Sequence, residues 1–194
     1  MLDRERSTGF IGALNNIHTL STESTEQLLS ITDEVFLEKQ ELLLPFGKAC
    51  RHIYFVNRGF VRIYYLKNGK EVTEWFADKG EFCFSIESYF TNQPSSLAIE
   101  TIEESQIFKI PREDISRLIG SNLEIANLFI AMFSGSLVLS QQRMSSIQFE
   151  TARERYEHLE KHHPNIILKA PLQHIASFLG ITSETLSRIR SSRI

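Results

Sequence analysis

The sequence predicts an α+β fold in which an antiparallel β sandwich is flanked by helices and a short helical pair follows. Three observations predict it. Residues 36–110 have the composition and turn spacing of short strands, apolar residues recur every seven positions over 112–148, and a helix-bend-helix pattern begins at Leu172. The chain has 194 residues, enough for one medium domain or two small ones. Its 42% hydrophobic and 23% charged residues are typical of a soluble globular protein.

Residues 1 to about 35 have the pattern of helices. Leu20, Leu28, Leu29 and Ile31 are apolar among polar neighbours, and "STESTEQLL" offers hydroxyl caps. The start "MLDRERSTGFIGALNN" lacks the basic-then-apolar order of a signal peptide. No apolar run approaches the roughly 18 residues that a membrane span needs. We therefore expect a cytoplasmic protein with no membrane partner.

Residues 36–110 have the pattern of short strands. The segment "HIYFVNRGFVRIYYLKNGKEVTEWFADKGEF" is rich in β-branched and aromatic residues, and turn signals recur at 57–59, 68–69 and 78–80. "SLAIETIEESQIFKIP" adds two alternating runs, and Pro111 ends the second. Strands at this spacing predict an antiparallel sandwich or barrel.

Residues 112–148 are predicted to be helical, with acidic residues near the start, where the helix dipole favours them. Two rows of residues recur at intervals of seven and form an a/d seam about four heptads long. The rows are Leu123, Ile130, Leu137 and Met144, and Ala126, Phe133, Ser140 and Ile147. This helix either lies on its own sandwich or pairs with its copy in a homodimer, and both hold if different faces are used. The length of the seam favours the homodimer.

Residues 149–194 are predicted to form a small helical unit. "TARERYEHLEKHH" has the pattern of a charged helix that ends at Pro164, and "NIILKAP" that of a short extended link. Residues 151–194 carry 7 Lys and Arg against 4 Asp and Glu, whereas residues 1–150 carry 14 against 20. A basic tail on an acidic body hints at a polyanion partner. The predicted division is thus 1–111, 112–148 and 149–194.

The last segment, "LQHIASFLGITSETLSRIRSSRI", has the apolar spacing of two helices packed at a steep angle. Ala176 is small where the helices cross, Gly180 suits a left-handed bend, and Thr182 is placed to cap the second helix. The predicted buried positions are Leu172, Ile175, Leu179, Ile181, Leu186 and Ile189. This pattern predicts a helix-turn-helix.

The exposed side of the second helix has the polarity of a helix that reads DNA. Arg188 is suited to bidentate bonds with guanine and Glu184 to a cytosine amino group, while Arg190 and Arg193 with the hydroxyls suit phosphates. The predicted DNA-binding residues are Thr182, Ser183, Glu184, Thr185, Ser187, Arg188 and Arg190. The alternative is a structural hairpin in which Glu184 and Arg188 form an ordinary i,i+4 pair.

These parts in this order resemble the Crp/Fnr superfamily of bacterial transcription regulators. The resemblance rests on "FVNRGFVRIYYLKNGKEVTEWF", the seam helix and "IASFLGITSETLSRIR", and it covers nearly the whole chain. It implies a cyclic-nucleotide-binding-like jelly roll, a homodimer through the long helix, and a helix-turn-helix that reads a palindromic site in double-stranded DNA. It also places Ser183, Glu184 and Arg188 at base-contacting positions.

The sequence departs from the family pattern after the second helix. Members usually continue into a two-stranded wing, whereas only four residues follow Arg190 here. The chain therefore resembles a shortened, wingless kind of member. DNA affinity is then expected to depend on the helix pair, the Arg-bearing tail and dimer symmetry.

The second departure lies in the effector cassette, "GEFCFSIESYFTNQPSSLAIET". By the resemblance, Ser85 stands where a Glu binds the ribose, and Ser95, followed by Ser96, stands where an Arg binds the phosphate. From Gly80 to Phe108 there are five Glu and no Lys or Arg. A buried phosphate needs a charge-assisted partner, so neither cyclic AMP nor cyclic GMP is expected to bind tightly.

The predicted effector pocket is degenerate and includes Phe84, Ser85, Ser95 and Ser96. Arg58 or Arg62 is the remaining candidate for reaching into it. Whether it takes an unknown small-molecule effector stays open at this stage.

Other chemistry in the sequence is sparse, so no catalytic residue, metal site or cofactor is predicted. A cupin-like metalloenzyme needs clustered His and carboxylate ligands, yet the strand region holds only His52. His158 and His162 are a possible metal pair, but such a pair is more often a solvated helix face. Cys50 and Cys83 suit reduced thiols, and a redox pair only if the fold joins them. A second rival is a ligand-binding module whose helical tail only contacts proteins.

Overall fold

The computed structural model describes residues 7–192 of the chain. Its helices are α1 (Thr8–Ile17), α2 (Thr22–Ser30), α3 (Ile86–Thr91), α4 (Arg112–Ser121), α5 (Leu123–Phe149), α6 (Ala152–His162), α7 (Pro164–Lys169), α8 (Leu172–Phe178) and α9 (Ser183–Ser191). Its strands are β1 (Asp33–Leu37), β2 (Leu42–Leu44), β3 (His52–Arg58), β4 (Phe60–Lys67), β5 (Lys70–Asp78), β6 (Phe82–Cys83), β7 (Leu97–Thr101) and β8 (Ser105–Pro111). The predicted α+β class is confirmed.

The strands of residues 7–192 form two four-stranded antiparallel sheets. Their orders are β1-β8-β3-β6 and β2-β7-β4-β5, so strands far apart in sequence pair, as in a jelly roll. The three predicted turns are present, with positive φ angles at Gly59, Asn68, Gly69 and Gly80. The sandwich prediction is therefore confirmed, although β1 begins at Asp33, a few residues earlier than expected.

The N-terminal helices close the sandwich with aromatic packing. The fully buried Phe10 ring of α1 lies 5.0 Å from the Phe55 ring and 5.6 Å from the Phe108 ring, centroid to centroid. Tilted and edge-on pairs at such distances are favourable geometries for aromatic rings. Helix α2 is capped as predicted, because the Ser21 side chain accepts a hydrogen bond from the Ser24 amide.

The predicted helix over 112–148 is divided in two at Asn122. This residue has an extended backbone (φ −135°, ψ 111°), and its side chain accepts hydrogen bonds from the amides of Glu124 and Ile125. An Asn that caps new amides in this way ends one helix and starts the next. The long helix α5 therefore runs in its own direction from Leu123 onward.

Helix α5 presents two different faces. Its inner face buries Ile125, Leu128, Phe129 and Met132 in the core of the sandwich. Phe133 of the predicted seam also packs against the core, but several other large seam side chains are exposed on another face. These are Leu123, Ile130, Leu137, Met144 and Ile147. Packing of α5 on its own sandwich, one of the two alternatives, is therefore present, and pairing with a second copy stays a prediction.

By length and composition alone, α5 is the one helix of residues 7–192 that could cross a membrane, although its inner face packs in the core of the sandwich. This helix of 27 residues has a mean hydropathy of 1.6 over an 18-residue window. Uncharged Ser, Asn and Gln interrupt its apolar run, which is why a search for continuous apolar residues misses it. Contacts near both ends hold the helix against the rest of the protein: Glu124 accepts from the Ser21 amide, and Arg143 donates to the Phe178 carbonyl.

The predicted extended link after α6 is also wrong, because residues 164–169 form the short helix α7. Pro164 occupies the first helical turn, where its missing N–H and restricted φ favour helix initiation. The proline that ends α6 therefore starts the next helix.

We predict that Gly59→Ala destabilises the sandwich far more than Gly69→Ala. Both glycines have positive φ (109° and 74°), but a Cβ at Gly59 would lie 2.7 Å from the Ser105 Cα, whereas Gly69 faces open space. Left-handed strain costs about 1–2 kcal/mol at either position, and the clash adds about 1–3 kcal/mol at Gly59 alone. Urea unfolding of both variants measures the difference. Equal losses would contradict the close approach of the β3–β4 turn to Ser105.

Candidate nucleic-acid interface and cavity

The bend between α8 and α9 is built by backbone hydrogen bonds around Gly180. The Ile181 amide donates to the Ala176 carbonyl at 3.0 Å, and the Gly180 amide donates to the Ser177 carbonyl at 3.1 Å. Gly180 has φ +68°, the left-handed conformation that this Schellman-type helix end requires. The predicted bend glycine is confirmed.

Helix α9 begins at a side-chain cap and buries one face. The Thr182 hydroxyl accepts a hydrogen bond from the Thr185 amide at 3.2 Å. The predicted apolar spacing is confirmed at the positions buried between the two helices, which are Ile175, Ala176, Leu179, Leu186 and Ile189. Ile181 is half-buried, whereas Leu172 is exposed, contrary to expectation, because it lies in the first turn of α8.

The opposite face of α9 is polar and open. Glu184, Ser187, Arg188 and Arg190 are exposed, as is the cap Thr182, while Ser183 and Thr185 are half-buried. One guanidinium nitrogen of Arg188 donates to the Thr185 hydroxyl at 3.3 Å. Within residues 7–192 no Glu184–Arg188 ion pair forms, and a hydrogen bond with Thr182 is the main cause that lowers the pKa of Glu184. Arg193, the predicted phosphate contact, lies outside the described residues.

The helix pair docks on the sandwich through Phe178, the last residue of α8. Its ring lies 5.3 Å from the Phe76 ring and 6.4 Å from the Trp75 ring, both on β5. The Arg143 guanidinium of α5 lies 3.9 Å from the Phe178 ring centroid and donates to the Phe178 carbonyl at 2.9 Å. Burial lowers the pKa of Arg143 to about 10, so it stays charged at neutral pH for this cation–π contact.

A second contact joins α7 to the edge of the sandwich. The Lys169 ammonium lies 3.0 Å from an Asp78 carboxylate oxygen and 2.9 Å from a Glu103 carboxylate oxygen. The Asn165 amide also donates to Asp78 at 2.6 Å. These partly exposed pairs orient the helical unit while contributing little free energy.

Two serines of the predicted effector cassette form hydrogen bonds within the cassette. Ser85 and Ser95 are buried, and their hydroxyl oxygens are hydrogen-bonded at 2.9 Å. The Leu97 amide also donates to the Ser95 hydroxyl at 3.0 Å. Each hydroxyl is thus satisfied by its neighbour, without a ligand.

A cavity of about 420 Å³ lies beside these serines, between the sandwich and α5. Phe84 and Ser96 line it, whereas Ser85 and Ser95 are not among its walls. Arg62, one of the arginines expected to reach inward, is instead held by Glu71 at 2.5 Å and Glu100 at 2.7 Å. The other, Arg58, is exposed and does not line the cavity.

Known proteins are similar to this chain in sequence and in fold. Residues 34–122 match the family of the cyclic nucleotide-binding domain. The chain is 27% identical over 172 residues to the nitrogen fixation regulation protein FixK of Azorhizobium caulinodans, a match that covers 81% of this chain. It spans 66% of the length of FixK, just under two thirds.

Solved structures agree in fold. FixK2 of Bradyrhizobium japonicum superposes with a TM-score of 0.72 at 24% identity, covering 84% of each chain. The catabolite activator protein of Thermus thermophilus has a TM-score of 0.59 at 21% identity, covering 93% of this chain and 85% of its own. The chain is thus similar to regulatory proteins of the Crp/Fnr type in sequence and in fold. The resemblance read from the helix-turn-helix and the sandwich is confirmed.

Most residues of the cavity were not predicted from the sequence. Its remaining walls come from β4, β5, β6, β7, α3 and α5, so no continuous motif marks them. They are Ile63, Glu74, Trp75, Phe82, Cys83, Ile86, Glu87, Leu97, Ser136, Leu139 and Ser140. The absence of Lys and Arg from residues 80–108 indicated that this part of the wall has no positive charge, but it did not indicate where the cavity lies or what shape it has.

The geometry gives little support to a redox pair or a metal site. Cys50 and Cys83 are buried free thiols, and burial raises the pKa of both, which disfavours the reactive thiolate. The His158 and His162 rings stack at 4.5 Å on the exposed side of α6. In the part of the chain that the structure describes, no group of three or more metal-ligating side chains occurs.

Buried polar atoms without a partner lie at the junction of the sandwich and α8. Among the described residues these are Arg62 Nη1, Thr73 Oγ1 and His174 Nδ1. Burial, followed by the charge of Arg62, lowers the pKa of His174 to about 4. A neutral His174 is therefore part of the docked arrangement.

We predict that His174 makes the docked protein less stable as the pH falls from 7.5 to 5.0. The unfolded His174 takes up a proton near pH 6.5, but the folded one does so only near pH 4, so acid favours unfolding. After allowance for the half-exposed ring, the loss is on the order of 1 kcal/mol. Urea unfolding at both pH values should show a smaller loss in His174→Asn than in the wild type. His158→Asn, at an exposed site on α6, is the matched control, and an unchanged loss in His174→Asn would contradict the prediction.

Proposed function

We propose that the chain is a cytoplasmic transcription regulator that binds a palindromic site in double-stranded DNA as a homodimer. One observation carries the proposal: α9 is capped at Thr182 and buried on one side, while Glu184 and Arg188 stay exposed on the other. The relatives named as a nitrogen fixation regulation protein and a catabolite activator protein support it. These relatives are regulators, and no enzymatic activity is proposed.

In this proposal α9 enters the major groove and reads bases with its N-terminal half. Arg188 donates two hydrogen bonds to a guanine, and Glu184 accepts one from a cytosine amino group. The hydroxyls of Thr182, Ser183, Thr185 and Ser187 and the charge of Arg190 bind nearby groups, chiefly phosphates. Residues 149–194 then form the DNA-binding unit, 112–148 the dimerisation segment, and 1–111 the sensor part.

The exposed seam of α5 supports the homodimer. Leu137 is 63% exposed and Ile130 is also 63% exposed, a costly arrangement for large apolar side chains in water. Because these residues recur every seven positions, two copies of α5 are able to bury them against each other. Pairing sets the distance between two α9 helices, which must lie about one DNA turn apart, roughly 34 Å.

The charge distribution supports a pocket that does not take cyclic nucleotides. Arg62 is committed to Glu71 and Glu100, and among the cavity-lining residues described there is no Lys or Arg. The hydrogen bond between Ser85 and Ser95 joins the two positions at which, by the family resemblance, a Glu would bind the ribose and an Arg the phosphate. An unpaired phosphate in this environment costs several kcal/mol, on the order of what a broken buried ion pair costs.

We predict that Arg188→Ala lowers affinity for a selected DNA site by about 10- to 100-fold and loses sequence preference, because a bidentate base contact is worth about 1–3 kcal/mol. The site is obtained by selection from random-sequence duplexes with the wild type. Mobility shift with selected and scrambled duplexes gives both quantities. Arg190→Ala should weaken binding to the two duplexes by similar factors, as expected for a phosphate contact.

The control is Arg117→Ala, at an exposed arginine of α4, which should bind as the wild type does. Unchanged specificity in Arg188→Ala would remove the role assigned to Arg188. Failure of the wild type to select any sequence would instead favour the alternative function, a ligand-binding or protein-interaction module without DNA readout.

We predict that Leu137→Asp converts the homodimer into a monomer, because a carboxylate in the seam is desolvated on pairing. Val138→Asp is the matched control, since Val138 is also exposed on α5 but lies outside the two seam rows. Sedimentation equilibrium gives the mass of each variant. A monomeric wild type, or a dimeric Leu137→Asp, would contradict the assignment of the seam.

A further inference from the structure

The cavity between the sandwich and α5 has the size of a small-molecule site. Its volume of about 420 Å³ falls in the range of ligand pockets, roughly 300–1,000 Å³. It is walled by β4, β5, β6, β7 and α3 on one side and by α5 on the other. Ser136, Leu139 and Ser140 are the residues that α5 contributes.

The walls of the cavity are mostly apolar. Ile63, Trp75, Phe82, Phe84 and Leu97 supply aliphatic and aromatic surface. The hydroxyls of Ser96, Ser136 and Ser140 add a small number of neutral polar groups. A few polar groups on an apolar wall are the usual composition of a site that orients a small ligand.

The charged groups on the wall are all acidic. They are Glu74 and Glu87, and within residues 7–192 no cationic side chain lines the cavity. Burial raises the pKa of Glu74, which is the sign of a carboxylate with few favourable partners, although Arg143 opposes this shift. A ligand anion placed here would meet carboxylates and lose its hydration without gaining a counter-charge.

We propose that this cavity binds an uncharged or cationic, predominantly apolar small molecule, and that anionic ligands are excluded from it. Aromatic faces at Trp75 and Phe84 accommodate either a flat apolar ring or a cation, and the carboxylates of Glu74 and Glu87 favour the cation. The site assignment stands on the cavity alone, while its regulatory meaning rests on the proposed function.

The same walls connect the ligand to the rest of the protein. Trp75 lines the cavity and also lies against Phe178, through which the helix-turn-helix docks. Ser136, Leu139 and Ser140 belong to α5, whose other face carries the exposed seam. A bound ligand therefore touches both the docking contact and the proposed dimer helix, and a difference in affinity between two arrangements would shift their populations.

Trp75, the one tryptophan of the 194-residue sequence, makes the cavity directly observable. The probes are N-phenyl-1-naphthylamine, which is uncharged, and 1-anilinonaphthalene-8-sulfonate, which has the same ring system with a sulfonate. Titration of the full chain without DNA should give energy transfer from Trp75 to the uncharged probe. The sulfonate should bind about tenfold more weakly or worse, as should cyclic AMP in competition with the uncharged probe.

Two pairs of variants locate the site and its charge preference. Ser136→Leu fills the cavity and should abolish energy transfer, whereas Ser145→Leu, the same change at an exposed position of α5, should not. The double variant Glu74→Gln with Glu87→Gln should reduce the difference in affinity between the uncharged probe and the sulfonate. Glu104→Gln, in the β7–β8 turn, should leave that difference unchanged.

Equal affinity for the two probes would overturn the charge preference, and binding that Ser136→Leu does not alter would overturn the site. Because the titration contains no DNA, its failure leaves the Arg188 assignment intact. Conversely, a chain that selects no DNA sequence but binds the uncharged probe at Trp75 would overturn the proposed function and retain the ligand site.

Discussion

Packing around the Phe178 ring joins the three parts of the chain. The ring lies between Trp75 and Phe76 of the sandwich and the Arg143 guanidinium of the long helix. Because Phe178 ends α8, the orientation of the following bend and of α9 depends on this contact. A second cluster of buried apolar residues extends the same interface. It includes Phe60 and Phe76 from the sandwich and the apolar face of the helix pair. The position of α9 is thus set by the sandwich and α5 together.

This interface combines strong apolar packing with unsatisfied polar groups. Arg62 Nη1, Thr73 Oγ1 and His174 Nδ1 are buried at the junction, and within residues 7–192 they have no hydrogen-bond partner. Each such group costs about 1–3 kcal/mol relative to a satisfied one. A junction with this composition is less stable than a fully satisfied core, which suits a contact that changes when a regulator changes state. The cavity lies against the same strand, so Trp75 belongs both to the cavity wall and to the junction.

Much of the fold and part of the candidate site follow from local patterns. Gly180 and Thr182 act over a few residues, and so do the turns at Gly59 and Gly69, which is why their positions could be read directly. The buried positions of α8 and α9 could also be predicted from the sequence, because a helix buries residues at fixed intervals. Leu172 departs from that pattern, and Pro164 starts a helix instead of an extended link, since neither burial nor helix initiation is decided by the spacing alone.

The sequence by itself determined most of the order of helices and strands, the turns, the helix-turn-helix and the charge of the predicted effector cassette, because these depend on neighbouring residues and on composition. It did not determine the division at Asn122 or the helix that begins at Pro164. Tertiary structure decided which face of α5 packs on the sandwich, that Arg62 is held by Glu71 and Glu100, and that Trp75 serves both the cavity and Phe178. Those features join residues up to about a hundred positions apart, as in the hydrogen bond between Thr73 and Ser177, with |i−j| of 104. Long-range contacts of this kind leave no periodic signal, since they are selected by the packing of whole elements rather than by local geometry.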